Sequence, residues 1–495
     1  MTYSVLRVSQ FVVITLLVAC IITDSCKTSK FKSKMTVVNS SADIQGLLDI
    51  ETPVGARLSG KYRKSFGYKT MKDRAPVILT KVIDTMSRNK ESIINKYGEE
   101  ASAELKQVMG NISQLRSELM TNKPLQLLIL SDSEKDGDAR LWNDRIRDKA
   151  INDSSPVTWF ETDWLLCETY MYRRLRQIYA LTQNLSSLDC FEEQKEYAFT
   201  SALNSISALA KYTLDLANKT DNHISSANKE DFIALMKLNL WGNRCDLSHS
   251  GGVAVNASQH CAPMDRLSMI DPNLLIDNTS SVWDLLTKAA TGRDVIIDVV
   301  LDNAGYELFT DLSLALFVTR HKLATKIRFY VKNHPWYISD VTAKDCRWTI
   351  ESMKNSTNSK LQEFGKICGD YFDSGTWTIE DEPFWTSPYD FSQMKIKAPD
   401  LYSKLSEAKL IIFKGDLNYR KLMGDINWEH TTDLVTALRG FRPSNLVTLR
   451  TLKADVCVGL LPGKADDLCS QHGGNDWLVS GQYGVIHASI DAQVD

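Results

Sequence analysis

The chain has 495 residues, with 58 Lys and Arg against 61 Asp and Glu, so its formal charge is −3, and it is 43% hydrophobic and 24% charged. That balance excludes a disordered or polybasic chain and disfavours wholesale nucleic-acid binding, while the length excludes one small module. Ten cysteines with no C-x-x-C pair and no Cys/His group at zinc-ligand spacing exclude a disulfide scaffold or a zinc finger, leaving buried thiols as the simplest reading.

Residues 1–34 form an apolar then basic extension. The run from Phe11 to Ile22 follows a lone Arg7 and precedes a polar, basic stretch from Thr23 to Lys34. It is shorter than the roughly 20 residues of a membrane span and fits the apolar region of a signal peptide. A weak anchor and an upstream extension of a cytoplasmic protein are the other readings. A cytoplasmic location is favoured, with secretion or membrane anchoring if residues 1–34 act as a signal. Eight N-x-[ST] sequons do not decide the compartment, because so short a pattern recurs by chance.

From Ala75 to Trp241 apolar residues recur at helical spacing with almost no glycine. Helices are predicted over Pro76–Tyr97, Ala101–Met120, Thr162–Asn184 and Glu192–Ala217. Between Thr162 and Asn184 one broad face carries Trp164, Leu165, Tyr170, Met171, Leu175, Ile178 and Leu181. The stretch Gly242–Asn278, rich in Asn, Ser, Gly and Pro, reads as a surface connector. Beyond it the pattern alternates: strand Val295–Leu301, helix Leu308–Arg320, strand Lys326–Val331, helix Thr342–Met353, strand Leu410–Phe413, helix Tyr419–Gly424, and strands Val447–Lys453 and Tyr483–Ser489. Short apolar strands alternating with helices predict an α/β layer with a mainly parallel sheet behind a helical array. Residues 35–280 are expected to form a helical domain with connector, and 281–495 an α/β metal-binding catalytic domain. No internal repeat is visible.

Ligands of open α/β sheets sit outside the carboxyl ends of the strands, and four such ends are chemically loaded. Asp302-Asn303-Ala304-Gly305-Tyr306-Glu307 offers a carboxylate beside a neutral oxygen, a hard-ligand pair suited to a divalent ion; a helix cap and turn is the bland reading. Asn333-His334-Pro335-Trp336-Tyr337-Ile338-Ser339-Asp340 places Asp340 where it could complete a three-oxygen site, and His334, before a proline, reads as structural. Lys414-Gly415-Asp416-Leu417-Asn418-Tyr419-Arg420-Lys421 joins a glycine, the free amides of a helix start and two cations into a candidate anion site. In Arg450-Thr451-Leu452-Lys453, read inside a strand that continues to Val458, a lysine between apolar residues implies an anionic partner. Acids gathering a metal beside amides and cations gathering phosphate suit metal-assisted phosphoryl chemistry. No Walker A sequence is present.

These four ends in this order resemble the damage-control phosphatase family, formerly domain of unknown function 89, in the subgroup with an R-T-x-K motif. The resemblance spans about Gly55 to Gly484. It also rests on Leu58-Ser-Gly-Lys-Tyr-Arg-Lys-Ser-Phe66 and Leu240-Trp-Gly-Asn-Arg-Cys-Asp-Leu-Ser248, and the missing C-x-x-C pairs agree with the subgroup. It implies that Asp302, Asn303 and Asp340 hold a metal, Mn²⁺ first, with Ni²⁺, Co²⁺ or Mg²⁺ as substitutes. It further implies that Asp416, Leu417, Asn418, Tyr419, Arg420, Arg450 and Lys453 hold the phosphorylated substrate, with Asp302, Asn303 and Asp340 also facing it, and that Glu307 lines the pocket. The expected activity is hydrolysis of reactive sugar phosphates such as fructose 1-phosphate and fructose 6-phosphate, with Asp302 or an activated water as nucleophile. Partners would be small phosphorylated metabolites, with no nucleic acid and no membrane unless the N-terminal segment is kept as an anchor.

The subgroup's other assigned activity, S-adenosylmethionine-dependent methyl transfer to protein glutamates, is the first alternative, and a non-catalytic metabolite-binding protein is the second. A single glycine after the Val295–Leu301 strand, where a nucleotide fold would want a glycine-rich turn, favours the phosphatase. Tyr170, Arg173, Trp241, Asn243 and Asp246 read as core or capping residues before they read as cleft residues.

Overall fold

The helical periodicity of the first half becomes a stack of helices: α1 (Ala75–Arg88), α2 (Lys90–Tyr97), α3 (Ala101–Met120), α4 (Ala139–Asp153), α5 (Trp164–Ala180), α6 (Glu192–Ser201), α7 (Leu203–Ala217) and α8 (Ser226–Leu240). The computed structural model describes residues 44, 46–130, 138–219, 226–242, 271–288 and 294–490. The expected helix over Ala101–Met120 coincides with α3, whereas Pro76–Tyr97 and Glu192–Ala217 each break in two. The breaks fall at Asn89 (φ −93°, ψ 12°) and Ala202 (φ −93°, ψ 4°), where one residue leaves helical geometry and the apolar face turns with it.

The second half alternates as the sequence pattern demands: β1 (Leu274–Asp277), α9 (Thr279–Thr287), β2 (Ile296–Val300), α10 (Tyr306–Arg320), β3 (Lys326–Val331), α11 (Ala343–Lys354), α12 (Ser359–Asp373), β4 (Trp377–Asp381), α13 (Pro399–Ser406), β5 (Leu410–Lys414), α14 (Gly415–Leu422), β6 (Leu446–Thr451), α15 (Lys464–His472) and β7 (Gly484–Ser489). The strands form one mixed α/β sheet in the order β1-β7-β6-β5-β2-β3-β4, parallel except for the antiparallel β6–β7 pair. Two expectations are corrected here. The helix after β5 begins at Gly415 rather than Tyr419, and β6 ends at Thr451, so Lys453 lies beyond the strand.

Strand alternation sorts the core. Ile297, Val299 and Leu301 of the β2 segment face one layer with helices α7 to α12, while Val300 faces the other with Phe413, Tyr419 and Phe441. The helical stack has its own core around Trp142, Trp159, Trp164 and Tyr170, and it takes in Trp336, Leu417 and Ala454 from the site end of the sheet. Each fully buried large apolar side chain contributes about 1.5–3 kcal/mol, so this shared core fixes the helices against the loops that carry the polar residues. Among the described residues no helix is long and apolar enough to cross a membrane. The described cysteines are free thiols, with Cys167, Cys346, Cys368 and Cys457 buried.

Candidate active site

In the strand order β6-β5-β2-β3 the chain leaves β2 toward β3 on one side and leaves β5 toward β6 on the other. The carboxyl ends of β2 and β5 therefore flank the switch point of the sheet, where a crevice opens. Asp302 follows β2 directly. Its carbonyl accepts from Val341 N at 2.8 Å, and Ala304 N donates to Ser339 O at 2.8 Å, zipping the exit of β2 to the loop after β3. That loop turns through two left-handed residues, Tyr337 (φ 43°) and Ile338 (φ 72°), the second a β-branched residue for which this region is strained. The turn is clamped from the helical stack: the Tyr337 ring stacks on Tyr172 at 4.6 Å, and its hydroxyl donates to Glu168 at 3.0 Å. The reversal sets Ser339 and Asp340 beside Asn303.

Asn303 is the hinge of the acid cluster. Its Nδ2 donates to Asp302 Oδ2 at 2.7 Å and to Glu307 Oε2 at 2.8 Å, while its Oδ1 accepts from Ser339 at 2.5 Å. Asp302, Glu307 and Asp340 are 8%, 4% and 2% exposed. Burial, then the neighbouring Glu307 and Asp340, push the Asp302 carboxyl well above its usual range. Burial also lifts Asp340 to about 6 against the pull of Lys332. Burial opposes ionisation of Glu307 as well, but Lys414 and the Asn303 amide hold it below its ordinary value. Lys414 Nζ lies 3.1 Å from Glu307 and 2.8 Å from Asp311, whose carboxyl burial raises to about 6.

Three buried carboxylates in one crevice call for positive charge, and the donor set of Asp302, Asp340 and the Asn303 amide oxygen is the hard-oxygen chemistry of Mg²⁺ or Mn²⁺. Asp340 Oδ2 supports the fit. It is buried without a hydrogen-bond donor, although the Lys332 ammonium lies 3.2 Å away. The distance marks an ion pair and the bond geometry is unmet, so the oxygen keeps a lone pair for another ligand. Among the described residues no three His, Cys, Asp or Glu side chains gather as a metal cluster; the set here is two aspartates and an amide.

The β5 exit closes the other wall. Gly415 has φ +82° and its Cα lies so close to Asp302 that a Cβ would overlap the carboxylate. Glycine is therefore required twice over, by conformation and by space. The first amides of α14 have no carbonyl four residues back and remain available as donors at this wall. Asp416 Oδ1 accepts from Arg450 Nε at 2.7 Å and from Lys453 N at 3.1 Å, which couples the R-T-x-K segment to α14. Lys453 lines the cleft, and its charge acts on both Asp302 and Glu307.

The other residues expected at the phosphate face inward. Arg420, 2% exposed, donates from Nε to Asp425 Oδ1 at 2.8 Å, from Nη2 to Asp425 Oδ2 at 3.0 Å and from Nη1 to Glu168 at 2.8 Å, with its guanidinium 3.5 Å from the Trp164 ring. Its charge is met inside the protein, where it ties α14 to α5. Arg450 donates to the Val456 and Ala454 carbonyls and lies over Tyr419, so it shapes the turn that carries Lys453. Asn418 Nδ2 donates to Lys414 O at 2.7 Å, and Lys421 donates to the Trp385 and Ser387 carbonyls. Leu417 belongs to the helical core.

The cleft measures about 340 Å³, within the range of small-metabolite sites. Asn303, Ala304, Glu307, Ser339 and Lys453 form its floor, and Arg74, Gln194 and Lys195 reach it from the helical stack. Those last three were not legible from sequence, because they come from segments remote in the chain. Lys414 was quoted at a strand end and Lys332 was not, and only the fold reveals their pairing with Glu307, Asp311 and Asp340. Tyr170, Arg173 and Trp241 are fully buried core residues, as read, and Asn243 and Asp246 lie outside the described residues. His334 is buried against Trp336, and burial then Arg173 lower its ring to about 3, which keeps it neutral.

The family model of the damage-control phosphatase ARMT1-like domain matches residues 70–468. The damage-control phosphatase ARMT1 of Danio rerio is 40% identical over 439 residues, covering 87% of this chain and 96% of its own. That of Homo sapiens is 39% identical over 440 residues, covering 88% and 98%. A DUF89 family protein of Pyrococcus horikoshii shares 15% identity over 72% of this chain and 91% of its own with a TM-score of 0.35, too remote to carry an argument. With matches of this extent running through every loop that builds the cleft, the chain belongs to the damage-control phosphatase ARMT1-like family.

Proposed function

We propose that this protein is a metal-dependent phosphatase that hydrolyses reactive sugar phosphates, fructose 1-phosphate and fructose 6-phosphate among them. Family membership supports a metabolite-repair phosphatase. The observation that carries the finer reading is the crowding of Asp302, Glu307 and Asp340 at the switch point, with a raised Asp302 carboxyl and a buried, unsatisfied Asp340 oxygen. Asp302, Asn303 and Asp340 would hold the cation, Mn²⁺ first. When bound, it supplies charge neutralisation and Lewis acidity toward a phosphate oxygen.

The chain's own groups do the rest. Lys453 and the opening amides of α14 bind and orient the phosphate, and Asp302 is placed either to attack phosphorus or to orient an attacking water. Ser339 and Glu307 hold the Asn303 amide, and Arg450 holds Asp416 and the Lys453 turn. Charge developing on the transferring group falls to Lys453, because Arg420 is engaged by Asp425 and Glu168.

The test is release of inorganic phosphate from fructose 1-phosphate and fructose 6-phosphate by the purified full chain with Mn²⁺, compared with Asp302→Ala. The wild type should turn over only with metal, and the variant should lose turnover while its circular dichroism is unchanged. Metal-independent release, or appreciable phosphatase activity in the variant, would refute the reading. Methyl transfer to protein glutamates with no phosphate release would replace it.

A further inference from the structure

The cleft carries more cationic side chains than hydrolysis of a simple phosphate ester uses. Three cations line it: Lys453, Lys195 and Arg74. Lys195 is spent, with Nζ 2.6 Å from both Asp189 and Asp345, and Lys453 is taken up at the phosphate end. Arg74 differs. It is exposed to the cleft, and among the described residues no carboxylate pairs with it. Its guanidinium is propped 5.3 Å from the Phe66 ring, and its charge reaches the hydroxyl of Tyr172, whose ring stacks on that of Tyr337.

The backbone there is also unusual. Residues Thr70–Arg74 form a single π-helical turn that ends at Arg74 and leads into α1. Such turns are inserted bulges that re-aim the residues they carry and concentrate at functional sites. An unneutralised, ring-supported guanidinium facing a crevice is built to meet a carboxylate or phosphate through paired N–H donors.

We infer that Arg74 is a specificity-determining residue that binds a second anionic group, a carboxylate or second phosphate, on the part of the substrate remote from the hydrolysed ester. The inference rests on the phosphatase reading above and deepens it: among the phosphorylated metabolites that the site accepts, those that carry a second anionic group are preferred. A substrate with two anionic groups spans the cleft, with its scissile phosphate at Lys453 and its second anionic group at Arg74.

The experiment compares fructose 1-phosphate, fructose 1,6-bisphosphate and 6-phosphogluconate on wild type, Arg74→Ala and Arg74→Lys, in two arms: hydrolysis with Mn²⁺, and equilibrium binding by calorimetry. The two doubly anionic probes separate phosphate from carboxylate as the preferred second group. The preference of the wild type for at least one of them over fructose 1-phosphate, in KM and in Kd, should fall by about ten- to a hundredfold in Arg74→Ala, the range expected for a charge-assisted contact. Arg74→Lys should restore part of it. A preference unchanged in Arg74→Ala, or an equal loss for all three ligands, would overturn the inference. The two readings fail separately. Hydrolysis with a preference indifferent to Arg74 leaves the phosphatase standing, whereas Arg74-dependent binding without hydrolysis by the wild type removes the phosphatase and keeps the anion site.

Discussion

Gly415→Ala tests the geometry of the crevice at its tightest point. Gly415 has φ +82°, and a Cβ there would overlap the Asp302 carboxylate, whereas Gly440 has φ +85° with nothing within 4 Å of such a Cβ. The left-handed conformation alone costs a side-chain-bearing residue roughly 1–2 kcal/mol. Overpacking adds about 1–3 kcal/mol, because the neighbour here is the short side chain of a buried aspartate rather than the far end of a flexible one. Gly415→Ala should therefore destabilise the protein by roughly 2–5 kcal/mol and Gly440→Ala by only about 1–2 kcal/mol. Urea unfolding followed by tryptophan fluorescence, with 11 tryptophans as reporters, measures both. Activity separates them further: a displacement of about 1 Å at Asp302 costs on the order of a hundredfold in turnover, and nothing at Gly440 touches the crevice. Equal stability loss in the two variants, or wild-type turnover in Gly415→Ala, would refute the argument that Asp302 is held in place by the absence of a side chain at 415.

Two further expectations concern the ion pairs that frame the site. Burial opposes ionisation of Asp390, but hydrogen bonds and charge from Arg439, with Ser392 and Arg57, pull its carboxyl down to about 2. A carboxyl lowered on folding stabilises the fold above its ordinary pKa and loses that contribution as pH falls through the folded value. About 2 kcal/mol should therefore disappear between roughly pH 4 and pH 2, and Asp390→Asn should flatten that part of the stability profile measured by chemical unfolding; an unchanged profile counts against the pairing. Asp425→Ala removes the bidentate partner of the buried Arg420 and should cost about 3–5 kcal/mol, read as a lowered urea midpoint, and a loss below 1 kcal/mol would mean that Glu168 and Trp164 suffice to hold the guanidinium.

The sheet was legible because each of its site-bearing strands is a short apolar run ending in a polar cluster, and the strand expected over Lys326–Val331 has those bounds in the structure. Ser359–Asp373 and Trp377–Asp381 escaped because Gly365 and Gly369 thin the apolar face of that helix, and because the strand that follows alternates on an exposed edge. Those glycines are there for packing: a Cβ at 365 would press on the Met353–Lys354 backbone of the preceding helix. Asp302, Asn303 and Asp340 were readable as a group because strand ends converge. Arg420 was misleading for the same reason, since a basic residue in the first turns after a strand end suits an anion site, and only the position of Asp425, five residues on, and of Glu168, from the helical stack, shows where its charge goes. Arg74 carried no local signal. It acquires meaning only when a π-turn at the head of the helical stack is brought against loops more than two hundred residues away.

The charge inventory of the crevice bears on the proposed metal-dependent hydrolysis. Asp302, Glu307, Asp311 and Asp340 face Lys332, Lys414 and Lys453, four carboxylates against three ammonium groups. The surplus bears on Asp302, whose carboxyl burial and two acidic neighbours push well above its usual range. Under the proposed function a divalent cation and a phosphate dianion would add no net charge together, so with all four carboxylates ionised the occupied crevice would carry the single negative charge by which they outnumber the three ammonium groups. Each guest would remove part of the penalty that the other would meet alone, since the cation would offset the repulsion between the phosphate and the carboxylates. The buried Lys414 shapes this arrangement: it lies 3.1 Å from Glu307 and 2.8 Å from Asp311 and meets the charge of both, as Lys332 at 3.2 Å meets that of Asp340. The acid cluster is thus tuned from within the fold, by a buried lysine at the end of the sheet's central strand.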